Sequence, residues 1–196
     1  MRIIGITGGV GSGKSTVIKE LNKVASCRIL YADDAAHMVY LPGNDCYERL
    51  KELFGDSILD DNGLIDRKKM SAAAFGNDDL LEKVNSIVHP AVKEYILRQI
   101  DEAKKADDCE LFLLEAALLI ECGYNDIVDE MWYVYANPDV RRLRLKTSRG
   151  YSDEKIDAIM ASQLSDEEYR RSSDFVIDNS NSVDECITQI IKRIRK

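Results

Sequence analysis

The sequence predicts an α/β fold in which helices flank a five-stranded parallel β-sheet. Five short runs rich in aliphatic and β-branched residues recur along the chain, and helical patterns separate them. The runs are almost continuously apolar, which is typical of strands that are buried on both faces of a parallel sheet. They lie at residues 2–6, 28–31, 111–114, 131–135 and 175–177.

Helix start signals fall between these runs. A helix is expected over residues 15–25, after the glycine-rich loop that follows the first strand. Asn137 followed by Pro138 fits an N-cap and a first helical residue. The capping-box pattern S-x-x-E begins at Ser165 and again at Ser182, where it predicts a helix that runs to the end of the chain.

Length and charge limit the classes of protein that the chain can belong to. Its 196 residues favour one compact domain with inserted lobes. A net charge of −8 argues against nucleic-acid and membrane partners, and no apolar run approaches the length of a transmembrane helix. The five cysteines are scattered and form no CxxC pair, as is typical of reduced thiols in the cytoplasm. Composition gives no prediction of oligomeric state.

The strongest functional signal is a phosphate-binding loop. Directly after the first strand, Gly8, Gly13, Lys14 and Ser15 satisfy the pattern G-x-x-x-x-G-K-[ST]. Glycines let backbone N–H groups surround phosphate oxygens, and the positive end of the following helix points at the same anion. We expect ATP here, with Lys14 bridging the β- and γ-phosphates and the Ser15 hydroxyl on Mg²⁺.

Two long polar stretches do not fit the core. Residues 33–106 and 137–173 read as helical, without a predicted strand of their own. We expect a substrate lobe at about 33–106 and a lid at about 137–173, inserted into a core formed by about 1–32, 107–136 and 174–196. The expected lid carries a basic run that suits neutralisation of phosphate charge during transfer. Its members are Arg141, Arg142, Arg144, Lys146 and Arg149.

Three kinds of P-loop protein are considered, and they differ in what happens to the γ-phosphate of the bound nucleotide. The N-K-x-D pattern of a GTPase is absent, and the one D-x-x-G match, at residues 60–63, does not follow a predicted strand, so a GTPase is not supported. A motor ATPase could use Glu115 after the third strand, but the chain leaves little room for a motor. A small-molecule kinase needs a group that accepts the proton of the attacking hydroxyl, and Asp33 follows the second strand where such folds bind ligands. By position alone, Asp33 or Asp34 could equally cap the next helix.

Several longer motifs resemble a known family. The segments "ITGGVGSGKST", "YADDAAH", "LFGDSILDDNGLIDR", "IVHPAV", "ALLIECG", "ASQ" and "DFVIDNS" occur in the order and spacing of the dephospho-coenzyme A kinases. The resemblance covers nearly the whole chain. It implies a P-loop kinase fold, similar to nucleoside monophosphate kinases, that transfers the ATP γ-phosphate to the 3′-hydroxyl of dephospho-coenzyme A.

The resemblance also assigns roles to individual residues. It implies that Asp33 is the catalytic aspartate at the 3′-hydroxyl and that Asn179 lies near the adenine. His37 and Arg67 match motif positions for which structural roles are expected. The phosphates are implied on Gly11, Ser12, Gly13, Lys14, Ser15 and Thr16, and substrate contacts on Thr7, Asp33, His89 and Glu121.

The lid departs from the family pattern. Counted from Pro138, the first family arginine falls on Arg144, whereas the second falls on Ser148, with Arg149 one position later. We expect Arg144 and Arg149 to act in catalysis and leave open which one contacts the transferred phosphate. Two other functions remain open: a kinase for another nucleoside or small alcohol, and an ATP-dependent binding switch.

Overall fold

The computed structural model describes residues 1–195 and contains the predicted parallel sheet. The strand order is β2-β3-β1-β4-β5. The pairs β1 with β3, β1 with β4 and β4 with β5 are parallel, with Ile4 opposite both Leu113 and Glu130. The strands are β1 Arg2–Thr7, β2 Cys27–Tyr31, β3 Leu111–Glu115, β4 Glu130–Tyr135 and β5 Phe175–Asp178. All five predicted strands are thus confirmed.

Nine α-helices occur among the described residues, and the predicted caps set the ends of several of them. They are α1 Lys14–Val24, α2 Ala32–Val39, α3 Asp45–Phe54, α4 Arg67–Ala74, α5 Asp78–Ala106, α6 Pro138–Arg149, α7 Asp153–Ala161, α8 Asp166–Arg171 and α9 Val183–Ile194. The Asn137 cap of α6 and the Ser165 capping box of α8 are confirmed. At α9, Ser182 accepts from the Glu185 N–H, while the Glu185 carboxylate accepts from Asn181.

The chain divides into two compact units. The first comprises Met1–Ile29 and the chain from Ala103 onward, and the second comprises Leu30–Glu102. In the first unit, α1 and α9 pack together, and a core of fully buried side chains includes Ile4, Leu21 and Trp132. The second unit contains α2, α3, α4 and most of α5, and Leu50 is among its buried residues. A single kinase domain with a lobe at 33–106 and a lid at 137–173 stays a prediction.

Helix α5 contains a proline in its interior. Pro90 lies inside α5, immediately after His89, although proline removes a helical hydrogen bond and disfavours helical geometry at the residue before it. No helix within residues 1–195 has the length and apolarity needed to span a membrane.

Candidate active site

The turn between β1 and α1 requires glycine at two positions. Gly8 has a φ of 142°, and a Cβ there would lie 2.5 Å from the carbonyl oxygen of Val134. Gly13 is the left-handed N-cap of α1, and a Cβ there would overlap the side-chain amide of Asn179. Only a residue without a side chain fits these close approaches. The turn therefore has a backbone conformation that requires the glycines of the predicted P-loop.

The loop presents hydrogen-bond donors that suit an anion. Helix α1 begins at Lys14 with no side-chain cap at its N-terminus. The Ser12 hydroxyl is buried and has no hydrogen-bond partner among the described residues. Backbone N–H groups and the helix dipole at such an end attract phosphate, and an unpaired buried hydroxyl is costly without a ligand. The arrangement fits a chain of phosphates.

Lys14 lies over this loop. Its ammonium donates to the Gly8 carbonyl at 2.8 Å and lies 3.5 Å from Glu115 Oε1. Burial lowers the pKa of Lys14, the Glu115 carboxylate opposes that shift, and the positive charges of Arg141 and Arg149 lower it further. The positive charges of Arg141 and Arg149 thus act on an ammonium that already has the Glu115 carboxylate beside it, and a bound phosphate would stabilise the charged form of Lys14 further.

Asn179 and Arg144 hold the loop through its main-chain carbonyls. The buried Asn179 amide donates to the Ser12 carbonyl at 2.8 Å. Arg144 donates to the same carbonyl at 3.2 Å and to the Asn179 carbonyl at 2.8 Å. Both side chains therefore contact the P-loop backbone, and a contact of Arg144 with phosphate stays a prediction.

The remaining cations of α6 differ in their surroundings. Arg142 forms ion pairs with Asp153 and Asp157, and Lys146 forms one with Asp153, so these two charges are neutralised within the segment 137–173. Arg149 is exposed, with its guanidinium 6.0 Å from the ring centroid of Tyr151. Its positive charge also helps to lower the pKa of Lys14, and a contact of Arg149 with phosphate stays a prediction.

Thr7 and Glu121 belong to the same unit. Thr7 is fully buried, and its hydroxyl makes a long 3.5 Å contact to the Ala117 carbonyl. Glu121 is exposed, and its charge helps to raise the pKa of Tyr169 to about 12, an effect due mainly to burial. Their substrate contacts stay predictions.

Asp33 and His89 belong to the second unit. Asp33 is exposed in the first turn of α2, whose N-cap is Tyr31 and makes no side-chain capping bond. The alternative that Asp33 or Asp34 is the N-cap of α2 is therefore wrong, because both residues lie inside the first turn of the helix. His89 is exposed on α5, next to the irregular Pro90.

Two contacts at the P-loop were not predicted from the sequence. Arg141 donates through Nε to the Val10 carbonyl at 3.0 Å and through Nη2 to Gln163 Oε1 at 2.6 Å. Gln163 Oε1 also accepts from the Val10 N–H at 3.2 Å. The signals were the basic run 141–149 and the "ASQ" segment, but neither indicates that the two side chains meet at the loop.

Comparison with known proteins gives the family of the chain. A sequence model described as dephospho-CoA kinase matches residues 2–185. The chain belongs to the dephospho-CoA kinase family. This kinase is an ATP-dependent transferase that performs the last step of coenzyme A biosynthesis. A dephospho-CoA kinase of Corynebacterium diphtheriae is 38% identical to it over 184 residues, which cover 94% of this chain and 91% of the relative.

Solved structures agree on the fold of this dephospho-CoA kinase. The crystal structure of TT1252 from Thermus thermophilus has a TM-score of 0.82 and 28% identity, covering 99% of this chain and 96% of that one. A dephospho-CoA kinase from Campylobacter jejuni has a TM-score of 0.64 and 23% identity, with the same coverage of both chains. The predicted P-loop kinase fold is confirmed.

Proposed function

We propose that the chain transfers the γ-phosphate of ATP to the 3′-hydroxyl of dephospho-coenzyme A through the residues described above. The observation that supports this most directly is the uncapped N-terminus of α1, with the unpartnered Ser12 hydroxyl beside it and Lys14 over it. Such a group of donors binds phosphates and stabilises the charge that develops on the transferred group.

The phosphates of ATP would lie on residues 11–16. The backbone N–H groups at the start of α1 would donate to them, and the Ser12 hydroxyl would gain the partner that it lacks. Lys14 would leave the Gly8 carbonyl and pair with the β- and γ-phosphates. Asn179 would act by fixing the Ser12 peptide, in addition to the adenine contact implied by the resemblance.

The residues present fit a Mg²⁺ ion that the protein itself holds only weakly. Ser15 is exposed at the N-terminus of α1, and no cluster of three metal-ligating side chains occurs within residues 1–195. Mg²⁺ commonly takes few protein ligands and completes its shell with phosphate oxygens and water. We assign the Ser15 hydroxyl as its ligand; the ion would supply charge neutralisation on the phosphates.

Asp33 would accept the proton of the acceptor hydroxyl. The 3′ oxygen forms a bond to the γ-phosphorus while the bond from that phosphorus to the ADP oxygen breaks, and the 3′-hydroxyl proton passes to the Asp33 carboxylate. Asp33 is exposed and does not cap α2, so its carboxylate is available for this role. His89, Glu121 and Thr7 would contact the acceptor.

The lid arginines would neutralise the transferred phosphate. Arg149 is exposed and acts on the charge of Lys14, which favours it for direct contact. Arg144 donates to P-loop carbonyls, which favours a contribution through the shape of the loop.

The cytoplasmic location, and the absence of nucleic-acid and membrane partners, stay predictions from composition.

Analogues of the acceptor test the proposed position of transfer. With ATP and Mg²⁺, 2′-deoxy-dephospho-CoA should support ADP formation, whereas 3′-deoxy-dephospho-CoA should bind as a competitive inhibitor and support none. Mass spectrometry of the product should show the gain of one phosphate. Phosphorylation of the 3′-deoxy analogue would place transfer on another group and remove the role given to Asp33.

A further inference from the structure

Arg141 occupies a position on the P-loop that the known motifs do not explain. Its guanidinium covers Gly9 so closely that a Cβ on Gly9 would overlap it. Its Nε donates to the Val10 carbonyl at 3.0 Å, so the group is fixed to the turn that follows the first glycine of the motif. A cation is thus held against the loop on which the phosphates are expected.

Gln163 holds this guanidinium in place. One side-chain oxygen accepts from Arg141 Nη2 at 2.6 Å and from the Val10 N–H at 3.2 Å. Residue 163 follows α7, and Arg141 lies on α6, so one amide connects both segments to the P-loop. The contacts use two of the five N–H groups of the guanidinium, so the group can keep its place and still donate to a phosphate.

The surroundings of Arg141 differ from those of its neighbours on α6. Arg142 pairs with two aspartates, and Arg144 binds main-chain carbonyls, whereas the hydrogen bonds of Arg141 go to uncharged oxygens. Its positive charge acts on Lys14, and burial lowers its own pKa. A half-buried guanidinium that repels Lys14 and has no carboxylate partner among these contacts gains most from an incoming anion.

We infer that Arg141 contacts the transferred phosphate and that Gln163 is the residue that positions it. This inference rests on the proposed phosphoryl transfer and adds two residues to it. At residue 148 the chain carries serine, whose hydroxyl donates to the Arg144 carbonyl of its own helix. Arg141 supplies a lid cation from one end of α6, and Arg149 supplies one from the other.

A double-mutant cycle tests the inference. Turnover with ATP and dephospho-CoA is measured for wild type, Arg141→Ala, Gln163→Met and the double variant, together with ADP affinity by calorimetry. Arg141→Ala should lower kcat by about 100-fold or more, in the range of a lost transition-state donor, with ADP affinity within about threefold. Gln163→Met keeps the side-chain length but removes the acceptor, and kcat should fall about tenfold.

The coupling between the two changes decides the role of Gln163. In the Arg141→Ala background, Gln163→Met should change kcat less than twofold, because the group that it positions is gone. Additive effects would overturn the positioning role and indicate that Gln163 acts only on the Val10 N–H. An Arg141→Ala variant with kcat within threefold of wild type would overturn the phosphate contact.

Controls separate these results from misfolding and from failure of the proposed function. Arg142→Ala, on the same helix but paired with Asp153 and Asp157, should keep kcat within about threefold. Arg141→Lys keeps the charge but lacks the branched guanidinium whose N–H groups reach Val10 and Gln163. This variant should fold like wild type and still lose most of its kcat. If wild type shows no acceptor-dependent turnover, the proposed function fails, whatever the variants do.

Discussion

The side-chain amide of Asn179 donates to the main-chain carbonyl of Ser12 at 2.8 Å, and this contact fixes one peptide of the P-loop. Asn179 is 2% exposed and follows β5, whereas Ser12 precedes α1. Two segments 167 residues apart in sequence thus meet at the phosphate-binding turn. Asn179 therefore has a structural role in the site that does not depend on any contact with adenine.

Replacement of Asn179 should weaken both the fold and ATP binding. Asn179→Ala leaves the Ser12 carbonyl with only the Arg144 donor and opens a small cavity, so we expect a loss of about 1–3 kcal/mol in the free energy of unfolding. Urea denaturation measures this loss, and titration with ATP should show weaker binding. Asn181→Ala, at an exposed site, should change stability by less than about 0.5 kcal/mol.

Neighbouring aspartates on α2 provide a matched test of the proton acceptor. Asp33→Asn should leave ATP affinity near normal and lower kcat by about 10²–10⁴-fold, because the amide cannot accept the hydroxyl proton. Asp34→Asn, one residue later in the same exposed turn, should keep kcat within about threefold. Equal losses in both variants would indicate a general effect of charge at the start of α2.

Alkaline pH should reduce ATP use through Lys14. Burial lowers the pKa of this ammonium below its usual 10.5, with further lowering by Arg141 and Arg149. Lys14 is charged below its pKa and loses its charge above it, so kcat/KM for ATP should fall with an alkaline limb below pH 10.5.

Removal of Arg141 should shift the alkaline limb of kcat/KM for ATP to higher pH. Arg141→Ala takes away a positive charge that disfavours the protonated form of Lys14, so the limb should move to higher pH, although the plateau is lower. Arg142→Ala serves as the reference, since its charge is paired with aspartates. A limb that stays in place in Arg141→Ala would show that Arg141 does not act on Lys14.

Pro90 should lower the stability of α5. Its ring removes one hydrogen bond from the interior of a 29-residue helix. Pro90→Ala should raise the free energy of unfolding by about 1–2 kcal/mol, after allowance for the greater freedom of the unfolded chain. Urea denaturation checks this, with exposed Glu82→Ala on the same helix as a reference. Unchanged or lower stability in Pro90→Ala would show that the fold has adapted fully to proline.

The sequence predicts the parts of this protein that depend on local pattern. The strand positions are predicted by apolar runs. The P-loop is predicted by the spacing of its glycines, lysine and serine. The Asn137 and Ser165 caps follow from side chains that bond within three residues. In each case the interacting groups lie close together in sequence, so their spacing alone carries the information.

Contacts between distant segments could not be predicted in this way. The basic run 141–149 indicates a phosphate-facing lid but does not distinguish Arg142, which pairs with aspartates, from Arg141, which lies on Gly9. Gln163 belongs to the "ASQ" segment, but that motif does not indicate that its side chain meets Arg141 at the P-loop. The approach of Arg144 to the Ser12 carbonyl depends on how α6 packs beside the P-loop, which is a property of the folded chain.

The most direct test of the account is an ADP-release assay with ATP and Mg²⁺, in which dephospho-CoA, adenosine, AMP and no acceptor are compared and the product is identified by mass. The account predicts rapid ADP release with dephospho-CoA alone and a product heavier by one phosphate. ADP release that is equal with and without dephospho-CoA, or that is faster with adenosine or AMP, would contradict it.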